Sequence, residues 1–151
     1  MKIYIDNCCY NRPFDDQSQQ RIYDETNAIA SIINRTKISG DTILGSDILR
    51  MEIKKIRDAK KRFDIESNFY QTVNEIVPVD EKIIECAKKI MSTSNVKQMD
   101  ALHISSAEFG NADIFLTTDD KLIKACQNLD LKTRVLNPVY YLAEVIGNVE
   151  Y

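Results

Sequence analysis

The chain has 151 residues, of which 44% are hydrophobic and 28% charged, and its net charge is −3. These values are typical of one globular domain, and they argue against a protein that coats nucleic acid through excess positive charge. A single histidine makes a histidine triad or a multi-histidine zinc site improbable, and the four cysteines have no zinc spacing, which favours reduced thiols.

No apolar run approaches the ~20 residues that a membrane span requires. The N-terminal segment reaches Asp6 too early for a signal peptide. We therefore expect one cytoplasmic domain over residues 1–151, with no membrane association.

The first half of the chain alternates apolar, β-branched runs with segments of helical periodicity. We predict a strand at residues 2–5, a loop at 7–16, a long amphipathic helix at 17–38 and a strand at 42–45. Gly40 is expected to end the long helix, and Ser46 or Asp47 to cap a helix that carries Glu52. A polar, basic helical segment then continues to residue 74.

The second half continues the alternation. Pro78 argues against a central strand at residues 77–79, and Asp80 begins a helix. A further helix at residues 96–110 carries Asp100 and is expected to be closed by Gly110. Strands are predicted at 114–118 and 133–136, each followed by a helix. This order favours a parallel sheet with helices on both faces.

Four acidic residues adjoin apolar elements: Asp6 and Asp119 follow strands, while Glu52 and Asp100 lie on helices. Ligands bind beyond the carboxyl ends of strands in open α/β sheets, so we expect Asp6 and Asp119 to face one crevice. Converging carboxylates require a cation, and oxygen ligands favour Mg²⁺ or Mn²⁺. Such a site suits phosphodiester hydrolysis. Asp100 alone also fits a charge at a helix N-terminus or a partner of Lys97.

Several segments together resemble the PIN-domain nucleases: the apolar strand ending in Asp6, the helical Glu52, the segment MDALHISSA at 99–107 and the segment ADIFLTTD at 112–119. The resemblance covers the whole chain in the same order. It implies a PIN-like three-layer α/β sandwich, with a central parallel sheet of about four to five strands and helices on both faces.

The resemblance also implies a Mg²⁺- or Mn²⁺-dependent endoribonuclease that acts on single-stranded RNA. Asp6, Glu52, Asp100 and Asp119 would form its acidic cluster, with Asp6, Asp100 and Asp119 as metal ligands. Because the family includes toxins of bacterial and archaeal toxin–antitoxin pairs, an antitoxin protein is an expected partner. Family members often dimerise, and apolar residues on the early helix and near the C-terminus favour a homodimer.

Some assignments stay open at this point. Asp120 competes with Asp119, while Asp47 and Glu25 compete with Glu52. The segment NCCYNRPF after Asp6 differs from many family members, which carry a small hydroxyl residue there. It resembles a less characterised branch, so a toxin role does not follow from the resemblance.

Basic and polar residues near the acids offer further candidates. Arg50 and Lys54 lie on a basic helical face, and Arg12 closely follows Asp6, so we predict contacts with RNA phosphates. Solvated surface positions explain these arginines and lysines equally well. His103 is expected to satisfy a local hydrogen bond. Thr117 and Thr118 are candidates for orienting Asp119 or a metal-bound water, although strand propensity also accounts for them.

Three other functional classes compete with the nuclease. A catalytically inactive PIN-like module that binds RNA or protein is the main alternative. A receiver-like domain requires an acidic pair after its first strand, and Asp6-Asn7 does not supply it. A haloacid-dehalogenase-type phosphatase requires a second acid two residues after the first, where this chain has Cys8.

Overall fold

Five strands and eight α-helices alternate in the part of the chain that the structure describes. The computed structural model describes residues 1–149, with Asn148 and Val149 described by their backbone alone; residues 150 and 151 of the predicted domain lie outside it. The strands are β1 (Lys2–Ile5), β2 (Thr42–Ser46), β3 (Glu75–Val77), β4 (Ile114–Leu116) and β5 (Arg134–Leu136). The helices are α1 (Asn7–Asn11), α2 (Gln20–Ser39), α3 (Asp47–Lys54), α4 (Ala59–Thr72), α5 (Glu81–Thr93), α6 (Gln98–Phe109), α7 (Asp120–Cys126) and α8 (Pro138–Val149).

The strands form one parallel sheet in the order β3-β2-β1-β4-β5. The central strand β1 aligns Ile3 with Ile43 of β2 on one side and with Ile114 of β4 on the other. After β1 the chain adds β2 and β3 on one side of this strand, and it later adds β4 and β5 on the other side. This reversal opens a crevice beyond the carboxyl ends of β1 and β4. The predicted α/β sandwich with a parallel sheet of four to five strands is confirmed.

Aromatic side chains fill the core around the central strand. Tyr4 of β1 has no exposed surface and stacks on Phe115 of β4, with ring centroids 5.1 Å apart and planes 9° from parallel. Phe69 of α4 lies against Gly45 of β2, where an added Cβ would come within 2.7 Å of the Phe69 ring. Gly45 is thus required because the ring occupies the space of a side chain.

The predicted loop at residues 7–16 is largely helical. It contains α1 and a short 3₁₀ turn, Arg12–Phe14. Asp6 caps α1 by accepting a hydrogen bond from the Asn7 backbone N–H over 2.8 Å. Pro13 fits the start of the turn because its ring presets a helical φ. The acid after β1 therefore begins a helix directly, which the sequence pattern did not indicate.

Gly110 follows α6 for a different reason than the predicted left-handed cap. Its φ is −80°, whereas Asn111 adopts the left-handed conformation at φ 59°. A Cβ at Gly110 would lie 2.6 Å from Cγ2 of Val77, so the glycine permits close packing of α6 against β3. The predicted left-handed stop at Gly40, by contrast, is confirmed at φ 79°.

The remaining predicted elements shift by a few residues at their ends. The edge strand β3 stops at Val77, immediately before Pro78, as expected for a residue without a backbone donor. Ser46 caps α3 by accepting a hydrogen bond from the Leu49 backbone N–H. Across residues 1–149, no helix combines the length and apolar character needed to cross a membrane.

Candidate active site

Asp6 lies at the carboxyl end of the central strand and is fixed on both carboxylate oxygens. Its backbone N–H donates to the Leu116 carbonyl over 2.9 Å, which holds it beside β4. Oδ1 accepts from the Asn7 N–H over 2.8 Å. Oδ2 accepts from the Thr117 hydroxyl over 2.8 Å and from the Cys8 thiol over 3.4 Å. This buried carboxylate is thus oriented by β4 and by the first turn of α1.

Glu52 on α3 reaches the same site through the single histidine. His103 Nε2 lies 3.0 Å from Glu52 Oε1 and 3.9 Å from Asp6 Oδ1. These three side chains offer ligand atoms within 4.8 Å of one another, the only such set found among residues 1–149. The two acids were predicted from the sequence, whereas His103 was expected to form only a local hydrogen bond. Its partners instead lie on distant elements, and one of them, Glu52, is a predicted site residue.

The electrostatics of His103 reflect its acidic surroundings. Burial lowers the pKa of His103, but the hydrogen bond to Glu52 and the carboxylates of Asp6, Glu52 and Asp100 raise it, leaving it above its ordinary value. On its other side, His103 Nδ1 lies 2.7 Å from the Tyr4 hydroxyl, which in turn lies 2.7 Å from the Ser46 hydroxyl. A chain of buried polar groups therefore leads from β2 to Glu52.

Asp100 lies in the first turn of α6 and faces the other acids. Its pKa is raised to about 6 by burial, and also by the negative charges of Asp6 and Asp119. Within the described residues Asp100 forms no ion pair with Lys97, so the simple pairing predicted from sequence is not observed. A carboxylate that is destabilised by its neighbours is the environment that a cation would relieve.

Asp119 is exposed and caps the helix that follows β4. Its Oδ1 accepts hydrogen bonds from the backbone N–H groups of Lys121 and Leu122 over 3.0 and 3.2 Å. Asp119 and Asp100 line one cleft of about 480 Å³. The ligand atoms of Asp100 and Asp119 are not gathered into the compact set around Asp6, and both acids form the adjoining wall of the site.

Three lysines in this cleft were not among the residues predicted to contact RNA. Lys97, Lys121 and Lys124 line it together with Asp100 and Asp119. Their spacing carried a signal, because Lys121 and Lys124 follow Asp119 on one short helix and Lys97 precedes Asp100. Only the fold brings the starts of α6 and α7 together. These lysines can contact an anionic ligand that approaches the acids.

The competing acids each have partners of their own. Asp120 accepts two hydrogen bonds from the Arg21 guanidinium, over 2.7 and 2.8 Å, and its side chain is 68% exposed. Glu25 is only 1% exposed and is bound by Arg12, Arg21 and Asn137. Both acids therefore belong to an ion-pair cluster next to the acidic site.

Asp47, the remaining rival of Glu52, lies on the same helix. Its carboxylate accepts from Arg50 over 3.1 Å and from the Val79 N–H over 3.4 Å. Asp47 thus connects the start of α3 to the segment after β3. Glu52 is the acid of this helix whose carboxylate lies within 4.8 Å of Asp6 and His103.

The predicted RNA-contacting residues occupy different environments. Arg12 is engaged with Asp15 and Glu25 over 2.8 and 2.9 Å. Arg50 donates to Asp47 and to the Tyr70 hydroxyl, and Lys54 lines a groove along α3 with it. Contacts of these residues with RNA stay predictions. Through these ion pairs, Arg12 holds the segment after Asp6 in place, and its guanidinium does not extend away from that segment toward an RNA phosphate.

Thr117 differs from its predicted role. Its hydroxyl hydrogen goes to Asp6, and its oxygen accepts from the Asp119 backbone N–H over 3.2 Å. Thr117 thus orients the first acid and only the backbone of the later one. The threonine directly follows β4, the strand next to β1, and this neighbour relationship is set by sheet order and not by sequence distance.

The residues present fit a hard divalent cation. Carboxylates of Asp6, Asp100 and Asp119 would supply oxygen ligands, and the pKa of Asp100 is raised by burial and by neighbouring negative charge that a cation would neutralise. Both Mg²⁺ and Mn²⁺ favour such carboxylate and water ligands.

Comparison with known proteins agrees with this fold. A chain in the structure of VapBC2 from Rickettsia felis, bound to a DNA fragment from their promoter, superposes with a TM-score of 0.57 at 16% identity, covering 91% of this chain and 98% of that one. A chain of a toxin-antitoxin complex from Klebsiella pneumoniae gives a TM-score of 0.51 at 17% identity, with the same coverage. These likenesses show the fold. No curated protein matches the chain. The PIN domain model matches residues 22–128, more than half of the sequence, and the chain therefore belongs to the PIN domain family.

Proposed function

We propose that this protein is a divalent-metal-dependent endoribonuclease that hydrolyses phosphodiester bonds of single-stranded RNA. The observation that supports this most strongly is the pair of carboxylates of Asp6 and Glu52, whose ligand atoms lie with that of His103 within 4.8 Å of one another at the carboxyl edge of the sheet. The charges of both acids also contribute, after burial, to the raised pKa of Asp100. Asp100 and Asp119 line the adjoining cleft, at the edge of the sheet where α/β proteins bind ligands. Membership of the PIN family supports a nuclease.

Asp6, Asp100 and Asp119 would hold Mg²⁺ or Mn²⁺, and Glu52 would act beside them. The bound ion would polarise a phosphoryl oxygen and lower the pKa of a water molecule. Thr117 keeps one oxygen of Asp6 in place, and the N-terminal amides of α7 keep one oxygen of Asp119. Glu52 would accept a proton from a water molecule beside the ion. The three aspartates would hold the ion directly, and the Glu52 carboxylate would add negative charge next to it, so that loss of Glu52 would also weaken metal binding.

RNA would enter along the cleft lined by Lys97, Lys121 and Lys124. These ammonium groups would bind phosphates on either side of the scissile bond, since phosphate contacts supply most of the affinity for nucleic acid. Arg50 and Lys54 on α3 would provide further phosphate contacts beyond Glu52. Arg12, which is bound to Glu25 and Asp15, would hold the segment after Asp6 in place.

We further propose that the chain is the toxin of a toxin–antitoxin pair and that it forms homodimers. The superposable structures are toxin–antitoxin assemblies, which supports an antitoxin partner. Expression in a bacterial host, alone and together with a candidate antitoxin, tests the pairing. Growth arrest by the chain alone, relieved by co-expression, is the expected result. Light scattering of the purified chain measures its oligomeric state.

Cleavage of a mixed-sequence, fluorophore-quenched single-stranded RNA tests the enzyme directly. Reactions contain Mg²⁺, Mn²⁺ or EDTA, and Asp100→Asn is compared with the wild type. Asp24→Asn is the matched control, because Asp24 is an exposed acid on α2 whose partner is Gln20. We expect metal-dependent cleavage by the wild type and the control only.

Two results would contradict the nuclease. Metal-dependent cleavage by Asp100→Asn at the wild-type rate would remove this acid from the mechanism. Absence of cleavage by a folded protein that binds Mn²⁺, tested on several RNAs and on single-stranded DNA, would favour a binding module. Melting curves with and without Mn²⁺ establish folding and metal binding in the same samples.

A further inference from the structure

Glu52 differs from the other site acids in how it is held. Asp6 accepts hydrogen bonds from a backbone N–H, a hydroxyl and a thiol, and Asp119 accepts from two backbone N–H groups. Among the described residues, His103 alone donates to the Glu52 carboxylate. Because a glutamate side chain has three rotatable bonds, the orientation of Glu52 depends on that imidazole.

The imidazole is itself fixed by a buried chain of hydroxyl groups. His103 is almost fully buried, with Nδ1 2.7 Å from the Tyr4 hydroxyl, and Tyr4 lies 2.7 Å from the Ser46 hydroxyl. Ser46 Oγ accepts from the Leu49 N–H, so its hydrogen is free to go to Tyr4. Tyr4 then donates to Nδ1, and Nε2 carries the hydrogen that reaches Glu52. Every donor in this chain has an acceptor when the imidazole is neutral.

We propose that His103 is a positioning residue that fixes Glu52 at the metal-dependent site, with the Nε2–H form imposed by Tyr4 and Ser46. The inference rests on the proposed function, because it assigns Glu52 to metal-assisted hydrolysis. His103 itself does not ligate the cation. Nε2 keeps its hydrogen whether the ring is neutral or protonated, since Glu52 is an acceptor in both cases.

Because His103 is the only histidine of the chain, its state is directly observable in the wild-type protein. In protein labelled with ¹⁵N-histidine, long-range ¹H–¹⁵N correlations distinguish a hydrogen on Nε2 from one on Nδ1. We expect Nε2–H both without metal and at saturating Mg²⁺. A neutral ring that carries its hydrogen on Nδ1, or loss of the Nε2 hydrogen when Mg²⁺ is added, would overturn the proposal by making His103 a ligand or a free base.

Variants test whether His103 acts through Glu52. His103→Leu removes the donor, whereas His103→Gln retains an amide N–H near the position of Nε2. We expect Mn²⁺ affinity, measured from free Mn²⁺ by electron paramagnetic resonance, to fall about 10-fold in His103→Leu and to recover largely in His103→Gln. Equal affinity of His103→Leu and the wild type would contradict the proposal.

The Glu52→Gln background separates positioning from general damage to the structure. If His103 acts through the Glu52 carboxylate, His103→Leu has no further effect on Mn²⁺ affinity once that carboxylate is absent. A second loss of about 10-fold in the double variant would show a merely structural role and overturn the proposal. Tyr4→Phe keeps the ring against Phe115 and removes the partner of Nδ1, so the Nδ1–H tautomer should become detectable beside the Nε2–H form that Glu52 still favours. Tyr141→Phe, a buried tyrosine on α8, is its control.

These measurements remain informative if the chain cleaves no RNA. If no RNA is cleaved but His103 carries its hydrogen on Nε2 and the variants show the expected Mn²⁺ affinities, the positioning role holds and only the nuclease is contradicted. Absence of Mn²⁺ binding to the wild-type protein would overturn both.

Discussion

Thr117 of the segment after β4 donates its hydroxyl hydrogen to Asp6 at the end of β1, over 2.8 Å. Both residues are buried, and they are 111 positions apart in the chain. This hydrogen bond joins the carboxyl ends of two neighbouring strands at the acidic site. It orients the acid that we place at the centre of the proposed metal site.

Thr117→Val tests the contribution of this hydroxyl, because valine keeps the shape and removes the donor. Asp6 Oδ2 would then retain only the weaker Cys8 thiol. We expect Mn²⁺ affinity and kcat/KM for RNA cleavage to fall about 10- to 100-fold, the usual effect of losing a partner of a metal ligand. Isothermal titration and cleavage kinetics measure these effects.

Thr118→Val is the control for Thr117→Val. Thr118 is also buried, and its backbone makes its polar contacts with Arg21 and Cys8. Unchanged kinetics are expected for this neighbour. Equal losses in the two variants would indicate a general effect on the strand end and contradict a specific role for the Thr117 hydroxyl.

Asp100→Asn is expected to stabilise the metal-free protein at neutral pH. The pKa of Asp100 is about 6 in the fold against an ordinary value of 3.8, so the folded protein favours the protonated acid. The contribution of Asp100 to stability therefore decreases as pH rises from about 4 to about 6, and the full penalty remains above pH 6. Because Asp100 is partly exposed, we expect a gain of about 1 kcal/mol in the variant.

Denaturant unfolding in EDTA at several pH values measures this effect. The difference between Asp100→Asn and wild type should be largest above about pH 6 and vanish below about pH 4. At saturating Mn²⁺ the order should reverse, because the wild type gains binding free energy that the variant lacks. A pH-independent difference would show that the carboxylate does not carry the penalty.

Glu25→Gln is expected to destabilise the protein without changing its metal affinity. The buried Glu25 carboxylate accepts from Arg12, Arg21 and Asn137. A glutamine would place N–H groups against these donors, and we expect a loss of about 2–3 kcal/mol in unfolding free energy. Thermal melting and Mn²⁺ titration separate the two properties.

The comparison variant for Glu25→Gln is Glu52→Gln, which should weaken Mn²⁺ binding with a smaller effect on stability. The opposite pattern, with metal affinity lost in Glu25→Gln and retained in Glu52→Gln, would move Glu25 into the site. Both acids were candidates on sequence grounds. Their surroundings differ because Glu25 lies against arginines, whereas Glu52 faces His103.

Gly45→Ala is expected to destabilise the fold by about 1–3 kcal/mol, as overpacking of a filled core does. The added Cβ would lie 2.7 Å from the buried Phe69 ring, which has no open space to enter. Gly147→Ala is the control, since a Cβ there meets nothing within 4 Å and alanine favours the helix. Urea unfolding compares both variants. Equal stability of Gly45→Ala and wild type would show that α4 shifts freely against β2.

The amino-acid sequence alone was sufficient to predict the parallel α/β architecture and its candidate acids. Apolar, β-branched runs alternating with helical periodicity are local signals, and each survives in the fold with small shifts at its ends. Asp6 and Asp119 were recognisable because each follows an apolar strand. Pro78, which has no backbone N–H to donate, argued against a central strand at this point, and β3 lies at the edge of the sheet.

Only the tertiary structure decided which polar groups surround those acids. Thr117 meets Asp6 because β4 pairs with β1, and His103 meets Glu52 because α6 and α3 cover the same end of the sheet. The periodicity of apolar residues indicates which face of an element is buried, but it does not indicate which distant element packs against that face. The choice of Glu52 over Glu25, and the partners that hold each acid, depend on that long-range packing.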